Sequence, residues 1–247
     1  MKNRVIRGQT DLVLRNHKFY LAVVVDAPEE SPYEPAGHLG VDLGIVNLAV
    51  DSDGETYKGE DVNEAMFRMD RIRTRLQGCA SKSARRHLKR LSGHEARYRR
   101  DVNHVISKRL VAKAKDTGRA IILEDLKGIR AQTTVRKAQR RRHNSWSFNQ
   151  LRTFIEYKAK VVGVPVMFVN PSGTSHTCPR CGVKAKRNRP KRSRFECVGC
   201  GLAGPADYIA ALNIATRGAV SRPIVPRNLS EPQAFPQGQA TDSIGGS

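Results

Sequence analysis

The sequence has 247 residues, enough to bury the core of one large domain or of one domain that carries a smaller module. Its 44 lysines and arginines against 23 acidic residues give a formal net charge of +21, which indicates a polyanionic partner such as nucleic acid. No stretch approaches the roughly 18 unbroken apolar residues of a membrane-spanning helix, and no apolar segment of a secretory signal follows Met1. We therefore predict a cytoplasmic protein with no membrane partner.

The first predicted elements are β-strands. Residues 11–26 indicate a hairpin that turns at Asn16 and His17, and a linker rich in Pro and Glu follows it. Between residues 38 and 59, short apolar runs are interrupted by Asp-Leu-Gly and by Asp-Gly, a strong hairpin dipeptide, which predicts three antiparallel strands. We expect residues 1–36 to form the hairpin and linker that precede the core.

The next predicted elements are mainly helical. Apolar residues recur at helical spacing from about residue 60 to 116, and Gly78 and Ser81 interrupt them, which predicts a helical hairpin within the core. Residues 119–124 form an apolar run that ends in a carboxylate, as expected of a buried strand. The pattern from Phe148 to Val162 predicts another amphipathic helix.

The C-terminal part completes an α/β pattern. Residues 128–145 are polar and basic and predict a loop or a helix that orders on nucleic acid. Residues 164–169 predict a second buried strand, and 206–217 predict a final helix. Residues 221–247 are rich in Pro, Gly, Ser and Gln and predict a disordered tail. The predicted units are a core at 37–175, a cysteine module at 176–203, a last core segment at 204–220 and the tail.

Four cysteines predict a structural zinc site. Cys178 with Cys181, and Cys197 with Cys200, are CxxC pairs separated by fifteen residues, which is a spacing typical of zinc ribbons. Each pair is followed by a glycine, as in the tight turns that direct two thiolates at one ion. Four thiolates complete a tetrahedral Zn²⁺ shell, so the site is expected to be structural rather than catalytic. The alternative is a set of unpaired cysteines in a core.

Three carboxylates occupy places that suit a metal-dependent nuclease. Asp42 lies in the first core strand, Glu124 ends the apolar strand at 119–124, and Asp207 opens the last helix. Functional sites of open sheets collect at strand ends and helix starts, and Mg²⁺ or Mn²⁺ prefers oxygen ligands. Taken singly, Asp42 would equally suit a turn and Asp207 a helix N-cap. Asp125 should face the opposite side of its strand from Glu124, outside such a site.

The order of these features resembles the TnpB family of transposon-encoded proteins, described as OrfB-type transposases. The similarity runs from about residue 10 to 218. The motifs that carry it are Gly40-Val-Asp42-Leu-Gly44, Ile122-Leu-Glu124-Asp-Leu126, the two CxxC pairs, Ala206-Asp207 ahead of Asn213, Tyr98-Arg-Arg-Asp101 with His104, Trp146-Ser-Phe148 with Leu151, Tyr157-Lys158, and Thr174-Ser175 ahead of Cys178.

The resemblance implies a RuvC-like (RNase H-like) mixed sheet with flanking helices and an inserted zinc ribbon. It also implies an RNA-guided DNA endonuclease, in which Asp42, Glu124 and Asp207 bind Mg²⁺ or Mn²⁺, with DNA and guide RNA as partners. Family members have a longer N-terminal half, so residues 1–36 would correspond only to the end of its β-barrel. Ile209 stands where the family usually has Asn, which removes a possible hydrogen bond without removing a metal ligand.

Three basic clusters are candidate contacts with nucleic acid. They lie on the second predicted helix, in the loop at 128–145 and between the two cysteine pairs. The candidate residues are Arg86, Lys89, Arg90, Arg97, Arg100, Arg136, Arg140, Arg141, Arg187 and Arg189. The alternatives are a solvated helix face and a ribbon edge protected by charge.

Three functions remain open from the sequence. The first is the metal-dependent DNA nuclease, which the three carboxylates favour. The second is a non-catalytic protein that binds guide RNA or DNA, which the short N-terminal part favours. The third is a zinc-ribbon adaptor, which the long stretch before the ribbon disfavours.

Overall fold

The computed structural model describes residues 6–15, 17–26, 29–44, 46–79, 81–126 and 148–220. The loop predicted at 128–145, which contains the candidate contacts Arg136, Arg140 and Arg141, lies outside the described residues. So does the tail predicted at 221–247.

The N-terminal hairpin consists of β1 (Ile6–Arg15) and β2 (Lys18–Val25), which pair antiparallel. Arg15 pairs with Lys18, so the turn falls where the sequence predicted it, although β1 begins earlier than residue 11. Many of the apolar side chains of the hairpin are exposed; Phe19, for example, is 70% exposed.

A five-stranded mixed sheet forms the centre of the fold. Its order is β5-β4-β3-β6-β7; β3, β4 and β5 pair antiparallel, and β3, β6 and β7 pair parallel. The first three strands are those predicted between residues 38 and 59. The strands are β3 (Gly37–Asp42), β4 (Asn47–Asp51), β5 (Thr56–Lys58), β6 (Arg119–Glu124) and β7 (Val166–Val169).

In the part of the chain that the structure describes, four helices accompany the sheet. They are α1 (Glu60–Gln77), α2 (Lys82–Asp116), α3 (Phe148–Val161) and α4 (Ala206–Val220). The predicted helical hairpin is α1 and α2, and the Ser81 side chain caps α2 by accepting a hydrogen bond from the Ala84 amide at 3.1 Å. Within the described part of the chain, no helix combines the length and the apolar character needed to cross a bilayer.

The helices cover both faces of the sheet. Leu39 and Val41 of β3 pack into the main core with Leu110 of α2 and Ile155 of α3. Alternate residues of a strand point to opposite faces, and Ile122 accordingly packs on the other side, against α4. This arrangement confirms the predicted α/β fold with a mixed sheet between flanking helices.

A small hairpin continues directly into α4. It consists of β8 (Arg194–Glu196) and β9 (Ala203–Pro205), which pair antiparallel after a short 3-10 helix at Lys186–Asn188. Phe195 is fully buried in a cluster with Cys178, Cys197 and Ile209 of α4. The cysteine module therefore rests on the first turns of α4.

Candidate nuclease site and metal centre

Two of the predicted catalytic acids end adjacent parallel strands. The register of β3 and β6 pairs Val41 with Leu123, so the residues that follow, Asp42 and Glu124, lie side by side. Because strand side chains alternate, these two carboxylates share the face on which Ile122 meets α4.

A glycine allows α4 to approach this face. A Cβ on Gly40 would lie 2.2 Å from the carbonyl oxygen of Ala211 and 2.4 Å from the amide nitrogen of Ala215. Only a residue without a side chain permits that approach. The first turn of α4 thereby brings Asp207 to the edge of the sheet.

Two side chains orient the Asp207 carboxylate. The Asn47 amide donates a hydrogen bond to Asp207 Oδ2 at 2.9 Å. A guanidinium nitrogen of Arg189, from the cysteine module, lies 3.6 Å from Asp207 Oδ1. The Asp207 carboxylate is thus contacted by one side chain from the sheet and by another from the cysteine module.

The three acids interact electrostatically. Burial raises the pKa of Asp42 to about 7, with further contributions from the negative charges of Glu124 and Asp207 and an opposing one from Arg189. Burial also raises the pKa of Glu124, although a hydrogen bond from the Thr174 hydroxyl opposes the rise. A cation placed among these carboxylates would relieve their repulsion.

Asp125 lies outside this group, as the sequence predicted. Its carboxylate accepts a hydrogen bond from Arg152 of α3 at 2.9 Å. The Arg152 guanidinium also stacks over the ring of Phe168, 3.8 Å from its centroid. The Asp125 side chain is therefore directed to the α3 face, away from α4.

The loop after β7 connects Glu124 to α4. The Thr174 hydroxyl donates to the Glu124 carboxylate. The buried Asn213 side chain of α4 donates to the carbonyl oxygens of Thr174 and Thr177, both at 2.7 Å. Asn213 therefore fixes the loop that in turn orients Glu124.

The four predicted zinc ligands converge. Their sulfur atoms all lie within 4.8 Å of one another, with Cys178 and Cys200 at 3.6 Å and Cys181 and Cys197 at 3.4 Å. Thiolates around Zn²⁺ at about 2.3 Å stand roughly 3.8 Å apart, whereas disulfide sulfurs are about 2.05 Å apart. The spacing fits a tetrahedral metal site. Among the described residues, this is the one group of three or more candidate ligands gathered so closely.

The two cysteine turns have the same backbone design. Gly182 and Gly201 follow the pairs with φ of 75° and 69°, as the sequence predicted for tight turns. Their amides donate to the carbonyl oxygens of Cys178 and Cys197 respectively, both at 3.0 Å. Hydrogen bonds from the amides of Cys200 and Gly199 lower the pKa of Cys197, whereas hydrogen bonding with Cys197 raises the pKa of Cys181. Of these two thiols, Cys197 is therefore the one whose thiolate is favoured.

The predicted nucleic-acid contacts on α2 are all exposed; they are Arg86, Lys89, Arg90, Arg97 and Arg100. Arg187 of the cysteine module is exposed as well. Arg189 is only partly exposed, because it donates two hydrogen bonds to the carbonyl oxygen of Arg192 besides its approach to Asp207. Arg189 thus lies at the carboxylate site, a position that its place in a basic run did not indicate.

Two family models match separate parts of the chain. Residues 21–130 match the OrfB_IS605 family, described as a probable transposase, and residues 148–214 match the TNB domain of Cas12f1-like proteins. A TnpB-like protein of Methanocaldococcus jannaschii is 41% identical over 128 residues, which are 51% of this chain and 45% of that protein. The chain belongs to the TnpB family. The resemblance that its motifs suggested is thereby confirmed.

Two further similarities extend along most of the chain. The putative RNA-guided DNA endonuclease InsQ of Escherichia coli K12 is 30% identical over 81% of this chain and 54% of its own length. A cryo-EM structure of a Cas12f1–sgRNA–target DNA complex superposes with a TM-score of 0.62 at 20% identity, covering 83% of this chain and 55% of that one. The chain spans about half the length of the curated relatives that it matches.

The departure from the family pattern at Ile209 has a packing explanation. Its side chain is 3% exposed and packs with Phe195 and two of the cysteines. In this TnpB-family chain the position therefore contributes to the contact between the ribbon and α4.

Sequence reasoning missed three side chains at the carboxylates: Asn47, Thr174 and Asn213. Asn213 was visible as part of the α4 motif, but without a role. Thr174 was likewise visible in the Thr174-Ser175 motif ahead of Cys178, but without a role. No local pattern marks Asn47, because it meets Asp207 only through the pairing of distant segments.

Proposed function

We propose that this chain is a metal-dependent endonuclease that cuts DNA at Asp42, Glu124 and Asp207. The observation that carries the proposal is that two strand ends and one helix start, each bearing a carboxylate, lie near one edge of the sheet. Their oxygen atoms are farther apart than the cysteine sulfurs, and are not all within 4.8 Å of one another. Burial and the other two acids raise the pKa of Asp42 to about 7, and a divalent cation held among these carboxylates would offset their repulsion.

The residues present fit a hard divalent cation. All three candidates offer carboxylate oxygens, the donors that Mg²⁺ and Mn²⁺ prefer. Ions held there would stabilise the negative charge that develops on the attacking and leaving oxygens of a phosphodiester.

The surrounding side chains hold the acids in place. The Asn47 amide and the Arg189 guanidinium fix the two oxygens of Asp207, and the Thr174 hydroxyl fixes one oxygen of Glu124. Such preorganisation avoids the cost of reorienting ligands during reaction. Arg189 also places a positive charge where a substrate phosphate would approach.

We propose that the four cysteines bind one structural Zn²⁺. The sulfur spacing supports a tetrahedral site, and the ribbon has little other core than Phe195 and its neighbours. Metal binding would therefore supply much of the folding free energy of the ribbon. The ribbon in turn carries Arg189 to the carboxylate site.

DNA is the proposed substrate of this chain, and a guide RNA is its second proposed partner. InsQ is named as a putative RNA-guided DNA endonuclease, and the superposed Cas12f1 structure is a complex with sgRNA and target DNA. The net charge of +21 supports a nucleic-acid partner for this chain too.

Cleavage by the purified chain, with any RNA that copurifies, tests the proposal. Asp42→Asn, Glu124→Gln and Asp207→Asn should each lower Mg²⁺- or Mn²⁺-dependent cleavage of single-stranded DNA about 10³-fold or more. The affinity for DNA should stay within a few fold of the parent's, because the proposed contacts with the DNA phosphates are made by basic residues outside the carboxylate site. The matched control is Asp125→Asn, which alters the neighbouring carboxylate on the opposite face and should remain active.

Two results would contradict the nuclease proposal. Parent protein that binds DNA but leaves every single-stranded and duplex substrate intact would instead support the non-catalytic binding function. Equal activity of Asp42→Asn and the parent would show that cleavage occurs elsewhere or comes from a contaminant.

A further inference from the structure

Helix α2 extends beyond the sheet on the side of the carboxylates. It ends at Asp116, and β6 begins at Arg119, so the two elements run antiparallel. With a rise of about 1.5 Å per residue, the 35 residues of α2 span about 52 Å, whereas the six residues of β6 span roughly 20 Å. The N-terminal half of α2 therefore projects past the edge at which Glu124 lies.

A basic stripe follows the exposed side of α2. Its members are exposed or partly exposed and recur three, four or seven positions apart, the spacing of one helix face. From the first member to His104 the stripe covers about 27 Å at the helical rise. The members of the basic stripe are Arg86, Arg90, Arg97, Arg100, His104 and Lys108.

Where α2 contacts α3, the stripe reaches three rings, those of His104, Phe154 and Tyr157. We name these three rings the aromatic platform. The His104 and Phe154 rings are stacked, with centroids 4.0 Å apart and planes inclined by 19°. Tyr157 meets Phe154 edge-on at 5.8 Å and is 44% exposed. These rings lie apart from the carboxylates, on the face of the sheet that α2 and α3 cover.

Hydrogen bonds between the helices hold the platform rigidly. The Lys158 amine donates to the His104 carbonyl oxygen and to Ser107 Oγ, both at 2.7 Å. The Asn103 side chain, next to His104 in α2, donates to the Gln150 side chain of α3 at 2.9 Å. The rings are therefore preorganised, so little conformational entropy would be lost when a flat ligand stacks on them.

The charges around the platform indicate an anionic partner. Desolvation, and then the positive charges of Lys158 and Arg100, lower the pKa of His104, whereas the negative charge of Asp101 opposes the shift. Desolvation, and then the positive charge of Lys108, lower the pKa of the Lys158 amine as well. A partner that combines flat rings with regularly spaced negative charges matches both features.

We propose that the aromatic platform stacks on an unpaired base of a nucleic-acid strand whose phosphates follow the basic stripe. An apolar protein partner would match the rings but not the surrounding cations. The proposal concerns binding alone and does not depend on the cleavage activity. DNA and RNA share the chemistry, and separate strands distinguish them in the test.

The experiment compares strands with and without bases. Fluorescence anisotropy, without added Mg²⁺, would measure the affinity of the full chain for labelled single-stranded DNA and RNA and for DNA of the same length made of abasic sites. The parent should bind the abasic strand about 5-fold or more weakly, the expected effect of one stacked base. Tyr157→Leu combined with His104→Leu should weaken binding to the strand with bases by the same factor and leave binding to the abasic strand unchanged.

Matched variants separate stacking from folding. Phe67→Leu removes a more exposed ring, 63% exposed against 44% for Tyr157, from α1 and should change neither affinity. Tyr157→Phe keeps the flat ring and should bind as the parent does. If the double variant is unstable in a thermal melt, Tyr157→Leu alone provides the test, since that side chain is largely at the surface.

Three outcomes would overturn the platform: equal affinity of the parent for strands with and without bases, equal weakening of both strands by the ring variants, or no weakening of either. A base-dependent loss with DNA, with RNA or with both would support it, and would show which strand it binds. If one of these outcomes is found and nucleic-acid binding is still weakened by salt, the stacking proposal is wrong while the nuclease proposal still stands.

Discussion

Gly40→Ala is the most direct test of how the carboxylate site is assembled. The added Cβ would lie 2.2 Å from the carbonyl oxygen of Ala211 and 2.9 Å from the Cβ of Ala215. Nonbonded carbon contacts are favourable at about 3.5–4.0 Å, so α4 would have to move away from β3 by roughly 1 Å. Backbone atoms of a packed helix cannot avoid the clash by a change of rotamer.

Two effects follow from that displacement. Overpacking of this kind typically costs about 1–3 kcal/mol of unfolding free energy. Asp207, at the start of the displaced helix, would move relative to Asp42, and a misplacement of about 1 Å can cost about 10²-fold in rate. We therefore expect a lower urea midpoint together with a large loss of cleavage.

Gly37→Ala is the matched control, because it makes the same change on the same strand. A Cβ there would lie 3.5 Å from the nearest atom, in the side chain of Arg119, which is ordinary contact. Urea unfolding and cleavage by Gly37→Ala should both stay close to the parent. If Gly40→Ala unfolds and cleaves as Gly37→Ala does, then α4 does not pack on β3 as described, and the placement of Asp207 beside Asp42 is wrong.

The remaining predictions concern the metal centre, the α4 acid and pH. Cys197→Ser should release about one zinc per chain and unfold the ribbon, as elemental analysis and zinc-dependent circular dichroism would show, whereas Cys79→Ser should retain it; a folded, zinc-free parent would contradict the site. Asn47→Asp places a second carboxylate against that of Asp207, so calorimetry should show altered Mn²⁺ binding with little change in zinc content. Unchanged Mn²⁺ binding would show that Asn47 does not position Asp207. The hydrogen bond from Arg119 lowers the pKa of Asp53 in the folded protein. The ionised Asp53 therefore stabilises the fold above its unfolded-state pKa of about 4, and this stabilisation is lost as the pH falls from there toward the folded-state pKa. Asp53→Asn should therefore reduce the loss of unfolding free energy between about pH 4 and lower pH. An unchanged pH dependence would show that the Asp53–Arg119 pair does not stabilise the fold.

Much of this fold was predictable because its signals are local. The alternation in β3, the apolar run of β6 and the helical spacing in α1 and α2 each lie within one segment of sequence. The two CxxC pairs have a spacing that few functions other than metal binding require. These features placed the strands, the helices and the four cysteines before any long-range contact was known.

The supporting residues were not predictable, because their roles arise from contacts between distant segments. Lys113 of α2 illustrates this point: its amine lies 2.5 Å from the fully buried carboxylate of Asp51, at the end of β4. In the sequence Lys113 is one of many cations, and nothing marks it as the partner of a carboxylate 62 residues away. A buried ion pair becomes recognisable only when the packing of α2 on the sheet is known.

The roles of individual basic residues also depend on contacts between distant segments. From the sequence, the cations of α2 and of the ribbon were equal candidates for contact with nucleic acid. In the structure Arg97 lies exposed on the projecting helix, where it is available to a phosphate backbone, whereas Arg189 faces the carboxylate of Asp207. Neutralising Arg97 should therefore affect mainly the affinity for nucleic acid, because exposed cations act through counterion release. Neutralising Arg189 should affect mainly the chemical step, because its charge is held beside an acid of the proposed site.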